Sequence, residues 1–207
     1  MDLEVRPEAL TRTALEEYAA VSIAFVVDRI LQVTLADGGL GGMVLTEAAV
    51  APPYVKDYDA IEEAGPPARW PERFDVSGWG LICGRRDGAV VGGAVITPKT
   101  PGLNLADGRD DVAVLWDIRV SPGERGAGVG SALLRAAAEW ARARGCEWLK
   151  IETQNVNVAA CRFYQKMGCA LGAIDRFAYP ELPGEVRLLW WKPVAPHRES
   201  RTTESAN

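Results

Sequence analysis

"VAVLWDIRVSPGERGAGVG", Val112–Gly130, sets an apolar, β-branched run directly before ten positions that hold four glycines, and "SALLRAAAEWARARG", Ser131–Gly145, follows at once. The first run has the composition of a buried strand. Val129, Leu133, Ala137, Trp140 and Ala141 then recur on one stripe, which predicts a helix from about Gly128 to Arg144 with Gly145 placed to end it. A glycine loop between strand and helix raises three phosphate-binding designs. A P-loop requires Lys and Ser or Thr where Val129 and Gly130 stand, so that design fails. A dinucleotide fingerprint requires Gly or Ala where Ser131 stands, and it belongs early in a repeating β-α-β series. The third design is Arg125, two residues, Gly128, one residue, Gly130. Without Cβ atoms such a turn exposes successive backbone N–H groups to a pyrophosphate, and the following helix aims its free donors and positive end the same way. The plain alternative is a tight turn that holds no ligand.

Outward from this stretch, the chain opens with a candidate strand at Leu3–Arg6 and a helical segment from about Thr11 to Val27. "ILQVTLADGGLGGMVLTEAAV", residues 30–50, reads as a hairpin around a Gly-rich turn. From Ala51 to Phe74 five prolines mix with Asp57, Asp59, Glu62 and Glu63, a composition that prevents a continuous helix or inner strand. A loop this long is often functional. "GWGLICGRRDGAVVGGAVI" is a second hairpin turning at Asp87-Gly88, and the loop "TPKTPGLNLADGRDD" leads to the strand Val112–Val120. After the glycine helix come the strand "EWLKIET", a helix from about Asn157 to Met167, "GCALGAI" and a closing strand "EVRLLWWKP". Two hairpins, then strand, helix, strand, helix and closing strands predict an α/β (α+β) fold: one mixed sheet with helices on its faces. The length supports one domain over residues 1–194, with residues 195–207 a polar tail.

Bulk properties narrow the function classes. At 48% hydrophobic and 25% charged, the composition is that of a soluble globular protein, and no apolar run is long enough to cross a bilayer. "MDLEVRPEAL" lacks the basic region and apolar core of a signal peptide, so a cytoplasmic protein is expected. A net charge of −5 argues against a nucleic-acid or anionic-membrane binder, since both need a basic surface to replace counterions. Cys83, Cys146, Cys161 and Cys169 lack the close pairing of a zinc site and read as reduced, buried thiols. The single histidine, His197, sits in the polar tail, which removes histidine triads and most metal sites; no metal is expected.

"DIRVSPGERGAGVGSALL" resembles the acetyl-CoA signature of the GNAT superfamily of N-acetyltransferases, and "NVNVAACRFYQKMGC" is similar to that family's second element, in the same order and spacing. The continuous likeness runs from about Trp116 to Gly172. "ETQNVNVAACRFYQKMGCALGAIDRFAYPE" and "VLTEAAVAPPYVKDY" further resemble streptothricin acetyltransferases. The long Pro-rich segment and the inserted "PKTPGLNLADGRDD" depart from those enzymes, at places where substrates are usually chosen. The resemblance implies a GNAT fold: a central, mostly antiparallel mixed sheet with helices on both faces and a splayed acetyl-CoA cleft. It also implies acetyl transfer from acetyl-CoA to a primary amine, with a small cationic molecule such as streptothricin as acceptor. Acetylation of a protein, peptide or polyamine, or a non-catalytic acetyl-CoA sensor, are the rival readings. A dimer is common in the family, and nothing local in the sequence demonstrates one.

Acyl transfer needs a held thioester, a neutral amine, a stabilised oxyanion and a proton for the departing thiolate. By resemblance, backbone groups of Ile118, Arg119 and Val120 bond the pantetheine and acetyl carbonyl, and Arg125, Gly126, Ala127, Gly128, Val129, Gly130 and Ser131 cradle the pyrophosphate. Tyr164 matches the family's general acid, a role that suits a phenol because it stays protonated at neutral pH. Its competing role is that of a buried helix aromatic. Asp117 and Glu152 are the carboxylates placed to take the amine proton, and a structural salt bridge is the alternative for either; alternation alone does not say which faces the cleft. Asn157 matches a coenzyme-bonding position and is equally fitted to cap its helix, while Arg162 reads as solvent-facing. Cys161 has no histidine near it to activate an acyl-enzyme, which favours direct transfer.

Overall fold

The computed structural model describes residues 2–61, 65–100, 103 and 106–194. Strand β1 (Glu4–Glu8) and helix α1 (Arg12–Ala19) precede a long hairpin of β2 (Phe25–Leu35) and β3 (Met43–Lys56). A short helix α2 (Trp70–Arg73) leads to the second hairpin, β4 (Gly80–Arg86) and β5 (Ala89–Thr97). Then follow β6 (Val112–Val120), α3 (Val129–Ala143), β7 (Trp148–Gln154), α4 (Val158–Lys166), β8 (Ala170–Asp175) and β9 (Arg187–Pro193). The expected tail, residues 195–207 with His197, lies outside the described residues, as do Glu62 and Glu63.

Seven strands pair in the order β1-β4-β5-β6-β7-β9-β8, and only β6 with β7 is parallel. This is a mixed and mostly antiparallel sheet, as the resemblance implies. The hairpin β2-β3 forms a separate two-stranded sheet, contrary to the single sheet expected. The hairpin instead docks on the turn after β7: Leu31 N–H donates to the Asn155 carbonyl at 2.9 Å, and Asn155 Nδ2 donates to the Leu31 carbonyl at 3.0 Å.

Two boundaries differ from the sequence reading. Helix α1 stops at Ala19 rather than near Val27, because Ser22 Oγ accepts the Ala24 N–H at 3.2 Å and turns the chain into the β-branched run that becomes β2. Strand β3 continues through Pro52 and Pro53, where irregular chain was expected. Pairing jumps there from Arg29↔Ala49 to Val27↔Tyr54, so the prolines occupy a bulge in which no ladder bond needs their missing N–H.

Each face of the main sheet carries its own core. Val129, Leu133, Ala137 and Ala141 of α3 pack on Ile82, Ala94, Ile96 and Leu115, while Leu15 and Tyr18 of α1 pack on Leu81, Cys83 and Val95 from the other side. Full burial of each large aliphatic side chain contributes roughly 1.5–3 kcal/mol. Thr11 caps α1 by accepting the Ala14 N–H at 3.2 Å.

A bulge on β6 decides what faces the site. Val95 pairs with Asp117 and Ile96 with Leu115, leaving Trp116 as the extra residue. Leu115 packs toward α3, and an unbroken strand would send Asp117 the same way. Across the bulge Ile118 and Val120 take that face instead, and Asp117 and Arg119 turn to Tyr18 of α1. Strands β6 and β7 pair only along Val112–Leu115 and Trp148–Ile151; beyond Leu115 they part.

Gly93 lets Tyr18 lie against the sheet: a Cβ there would stand 2.7 Å from the Tyr18 ring and 2.9 Å from the Ile82 carbonyl oxygen. Gly93→Ala is therefore expected to lower stability by about 1–3 kcal/mol, read from the urea midpoint at unchanged slope.

Candidate active site

Where β6 and β7 diverge, a cleft of about 790 Å³ opens, lined by Leu115–Val120 on one strand and Glu152–Gln154 on the other. On its other edge Trp116–Val120 meets no strand among the described residues, so the backbone groups of Ile118 and the N–H of Val120 are left for another partner, while the Val120 carbonyl accepts from Arg125. One end of the cleft is the glycine loop: Arg125, Gly126, Gly128, Gly130 and Ser131 all line it.

Gly128 is the N-cap of α3 at φ 87°, ψ −5°, a left-handed conformation that costs an L side chain roughly 1–2 kcal/mol. The first intrahelical bond runs from Ala132 N–H to the Gly128 carbonyl at 3.0 Å. Val129, Gly130 and Ser131 therefore precede the ladder with free N–H groups at the positive end of a fifteen-residue helix. A Cβ at Gly126 or Gly128 would meet nothing within 4 Å, so the inner surface of the loop is open to an incoming anion. The Arg125 guanidinium is turned away to bind carbonyls of Val120 (3.1 Å), Ser22 (3.3 Å) and Ala24 (3.0 Å), which ties the loop to the chain entering β2.

Helix α4 lines the opposite side with Asn157, Ala160, Phe163 and Tyr164. Asn157 is its N-cap, accepting the Ala160 N–H at 3.0 Å. Tyr164 is buried, with its ring between Phe163 and Trp190 at centroid distances of 5.3 and 6.3 Å. Burial, reinforced by the nearby Asp117 carboxylate, pushes its phenol well above the ordinary value near 10. The hydroxyl has no hydrogen-bond partner among the described residues and borders the cleft. Cys161 on the same helix is buried, and desolvation pushes its thiol up to about 12, so it stays a thiol. Arg162 points to the hairpin, where it pairs with Glu47.

The two carboxylates singled out in the sequence have different surroundings. Asp117, 8% exposed, accepts from Tyr18 Oη at 3.0 Å and from Arg119 Nε and Nη2 at 2.8 and 2.6 Å. Arg119, 1% exposed, also binds Asp59 at 2.8 and 3.1 Å and lies over the Tyr18 ring. Burial raises the Asp117 carboxyl against the opposing pull of Arg119. Glu152 is 32% exposed and accepts from Tyr179 Oη at 2.8 Å; its other oxygen stands 3.8 Å from Arg187.

The proline-rich segment supplies the remaining wall through Tyr58, Asp59, Trp70, Arg73 and Phe74. Trp116, extruded by the bulge, meets Trp70 edge-on at 5.9 Å and Phe74 at 5.4 Å. None of these aromatics was a sequence candidate, although their concentration in an acidic, proline-rich loop was the available signal. The described residues of the 98–111 loop, by contrast, do not line the cleft; Ala106 joins a separate core with Val112 and Val114, and Asp107 binds Lys150 at 2.7 Å. Among the described residues no cluster of His, Cys, Asp and Glu could hold a metal ion, and no helix is long and apolar enough to cross a membrane.

The sequence profile of the acetyltransferase (GNAT) family matches residues 47–169. The chain is 29% identical over 194 residues to the streptothricin acetyltransferase of Escherichia coli, covering 92% of this chain and 95% of that one. The crystal structure of nourseothricin acetyltransferase superposes with a TM-score of 0.73 at 27% identity, over 94% of this chain and all of that one. A Bacillus anthracis protein in complex with acetyl coenzyme A superposes at 0.70 with 25% identity, over 93% and 98%.

Asp117→Asn should leave the buried Arg119 under-compensated. A loss of about 3 kcal/mol is expected, measured by equilibrium denaturation.

Proposed function

Because the chain belongs to the acetyltransferase (GNAT) family and is an acetyl-CoA-dependent acetyltransferase, we propose that its cleft passes the acetyl group to a primary amine of a small cationic molecule, with streptothricin as the specific candidate. The observation that carries this reading is Tyr164, a buried phenol held in its protonated form, with an unbonded hydroxyl in the cleft that the glycine loop borders.

The residues fit the coenzyme. Val129, Gly130 and Ser131 offer the free amides and Gly126 and Gly128 the open surface a pyrophosphate requires, with Ala127 between them, Arg125 holds the loop in place, and Asn157 at the start of α4 also lines the cleft. Backbone groups of Ile118 and Val120 on the unpaired edge, with Arg119 between them held to β5, orient the thioester and its carbonyl. The bound thioester supplies the acetyl group, whose bond to sulfur is replaced by a bond to the amine nitrogen. Glu152 takes the proton the amine gives up, and Tyr164 gives its hydroxyl proton to the sulfur; exchange with water then restores both. Asp117, whose Oδ2 accepts from both Arg119 and Tyr18, serves as a positioning residue that keeps β6 and the acceptor-side loop together through the Arg119–Asp59 pair.

Support for a cationic acceptor comes from the same walls. Trp70, Phe74 and Trp116 offer aromatic surface to an ammonium group. The similarity to a streptothricin acetyltransferase over nearly the whole chain favours that antibiotic among such amines.

Thiol release from acetyl-CoA, followed against streptothricin, spermidine and lysine peptides, is expected to be fastest with streptothricin; turnover with peptides alone would overturn the antibiotic assignment. Tyr164→Phe should lower kcat about 100-fold while calorimetric acetyl-CoA affinity stays within about threefold. Since burial raises the phenol above its ordinary value, the descending limb from loss of this acid should lie above pH 10 in the wild type.

A further inference from the structure

We infer that Tyr179 is a positioning residue for the reaction: its hydroxyl fixes the Glu152 carboxylate so that one oxygen is held and the other is left to receive the amine proton. The inference rests on the reading of Glu152 as the base. Tyr179 stands in the connection between β8 and β9, outside the strands that build the cleft. Its hydroxyl donates to Glu152 Oε1 at 2.8 Å and accepts from Gln154 Nε2 at 2.9 Å, bridging two residues that both line the cleft. A hydroxyl has one proton, so the Gln154 donation obliges Tyr179 to spend that proton on Glu152. Glu152 Oε2 takes no hydrogen bond among the described residues; Arg187 lies 3.8 Å from it, an ion-pair distance that balances its charge without occupying a lone pair.

The segment bearing Tyr179 is itself anchored. Its carbonyl accepts the Leu182 N–H at 3.0 Å, and the Leu182 carbonyl accepts the Glu185 N–H at 2.8 Å, giving two successive turns. Glu185 is buried against Lys56 and accepts from Tyr58 Oη at 2.8 Å, and Tyr58 is itself a cleft residue. At the base of the segment Arg187 binds Asp175 at 2.7 Å. Desolvation and the adjacent Glu152 raise the Tyr179 phenol well above its ordinary value, so it remains a donor throughout the working range. A long connection is thereby made into a rigid support for one side-chain oxygen, and a carboxylate without it would sample rotamers in which neither oxygen meets the amine.

The test is a double-mutant cycle on the full chain with streptothricin and with spermidine as acceptors. Tyr179→Phe keeps the ring and should lower kcat about tenfold, with acetyl-CoA affinity and melting temperature unchanged. In the Glu152→Gln background, where the slow rate is already set, adding Tyr179→Phe should cost nothing further. Full turnover in Tyr179→Phe beside a slow Glu152→Gln overturns this inference alone, as does a tenfold loss that multiplies fully with that of Glu152→Gln. Unchanged turnover in Glu152→Gln overturns the base reading and the inference with it.

Discussion

The parting of β6 from β7 after Leu115 and Ile151 is the constraint on which the rest of the molecule depends. Two parallel strands that stay paired leave no polar backbone exposed between them, and two that separate must have their edges satisfied by something else. The bulge at Trp116 begins the separation and changes the parity of the strand in the same step. Every later feature of the cleft follows from that residue: Ile118 and Val120 seal the core beneath α3, Asp117 and Arg119 turn toward α1, and the indole joins the aromatic wall.

Burying Arg119 is costly unless each of its donors is met, and the site meets them with Asp117, Asp59 and the Val21 carbonyl. The partners come from a central strand, a surface loop and the turn that follows a helix. One guanidinium therefore holds the proline-rich segment against the mouth of the cleft, which explains how a stretch with little regular structure can present an ordered wall. Glu152 has the opposite design. It keeps a third of its surface, and its restraint comes from a single phenol carried on a connection.

Much of this was legible in the chain. Gly128 and Gly130 with Arg125 read as a loop that opens a helix toward an anion, and α3 begins and ends within a residue of the expected limits. Asn157 read both as a cap and as a residue facing the coenzyme, and it caps α4 while lining the cleft. These features are local: φ at a glycine, a side chain reaching three residues ahead and a stripe repeating every turn are properties of short segments. The missed features are not local. The separate hairpin sheet is held through Leu31 to Asn155 more than a hundred positions away, the passage of β3 through two prolines depends on a bulge opposite them, and the value of Trp70 and Phe74 depends on Trp116 arriving from a strand more than forty positions away.

By itself, then, the sequence determined the family, the glycine loop, the helix that follows it and the phenol on α4, because short-range geometry and residue chemistry are enough to specify them. Both carboxylates line the cleft, and what each is bound to was decided only in three dimensions. A strand alternates its side chains with period two, so one extra residue reverses every assignment beyond it, and nothing in "LWDIRV" marks Trp116 as that residue. The pairing of β6 with β5 turns Asp117 into the partner of a buried arginine, while Glu152 on β7 keeps a third of its surface.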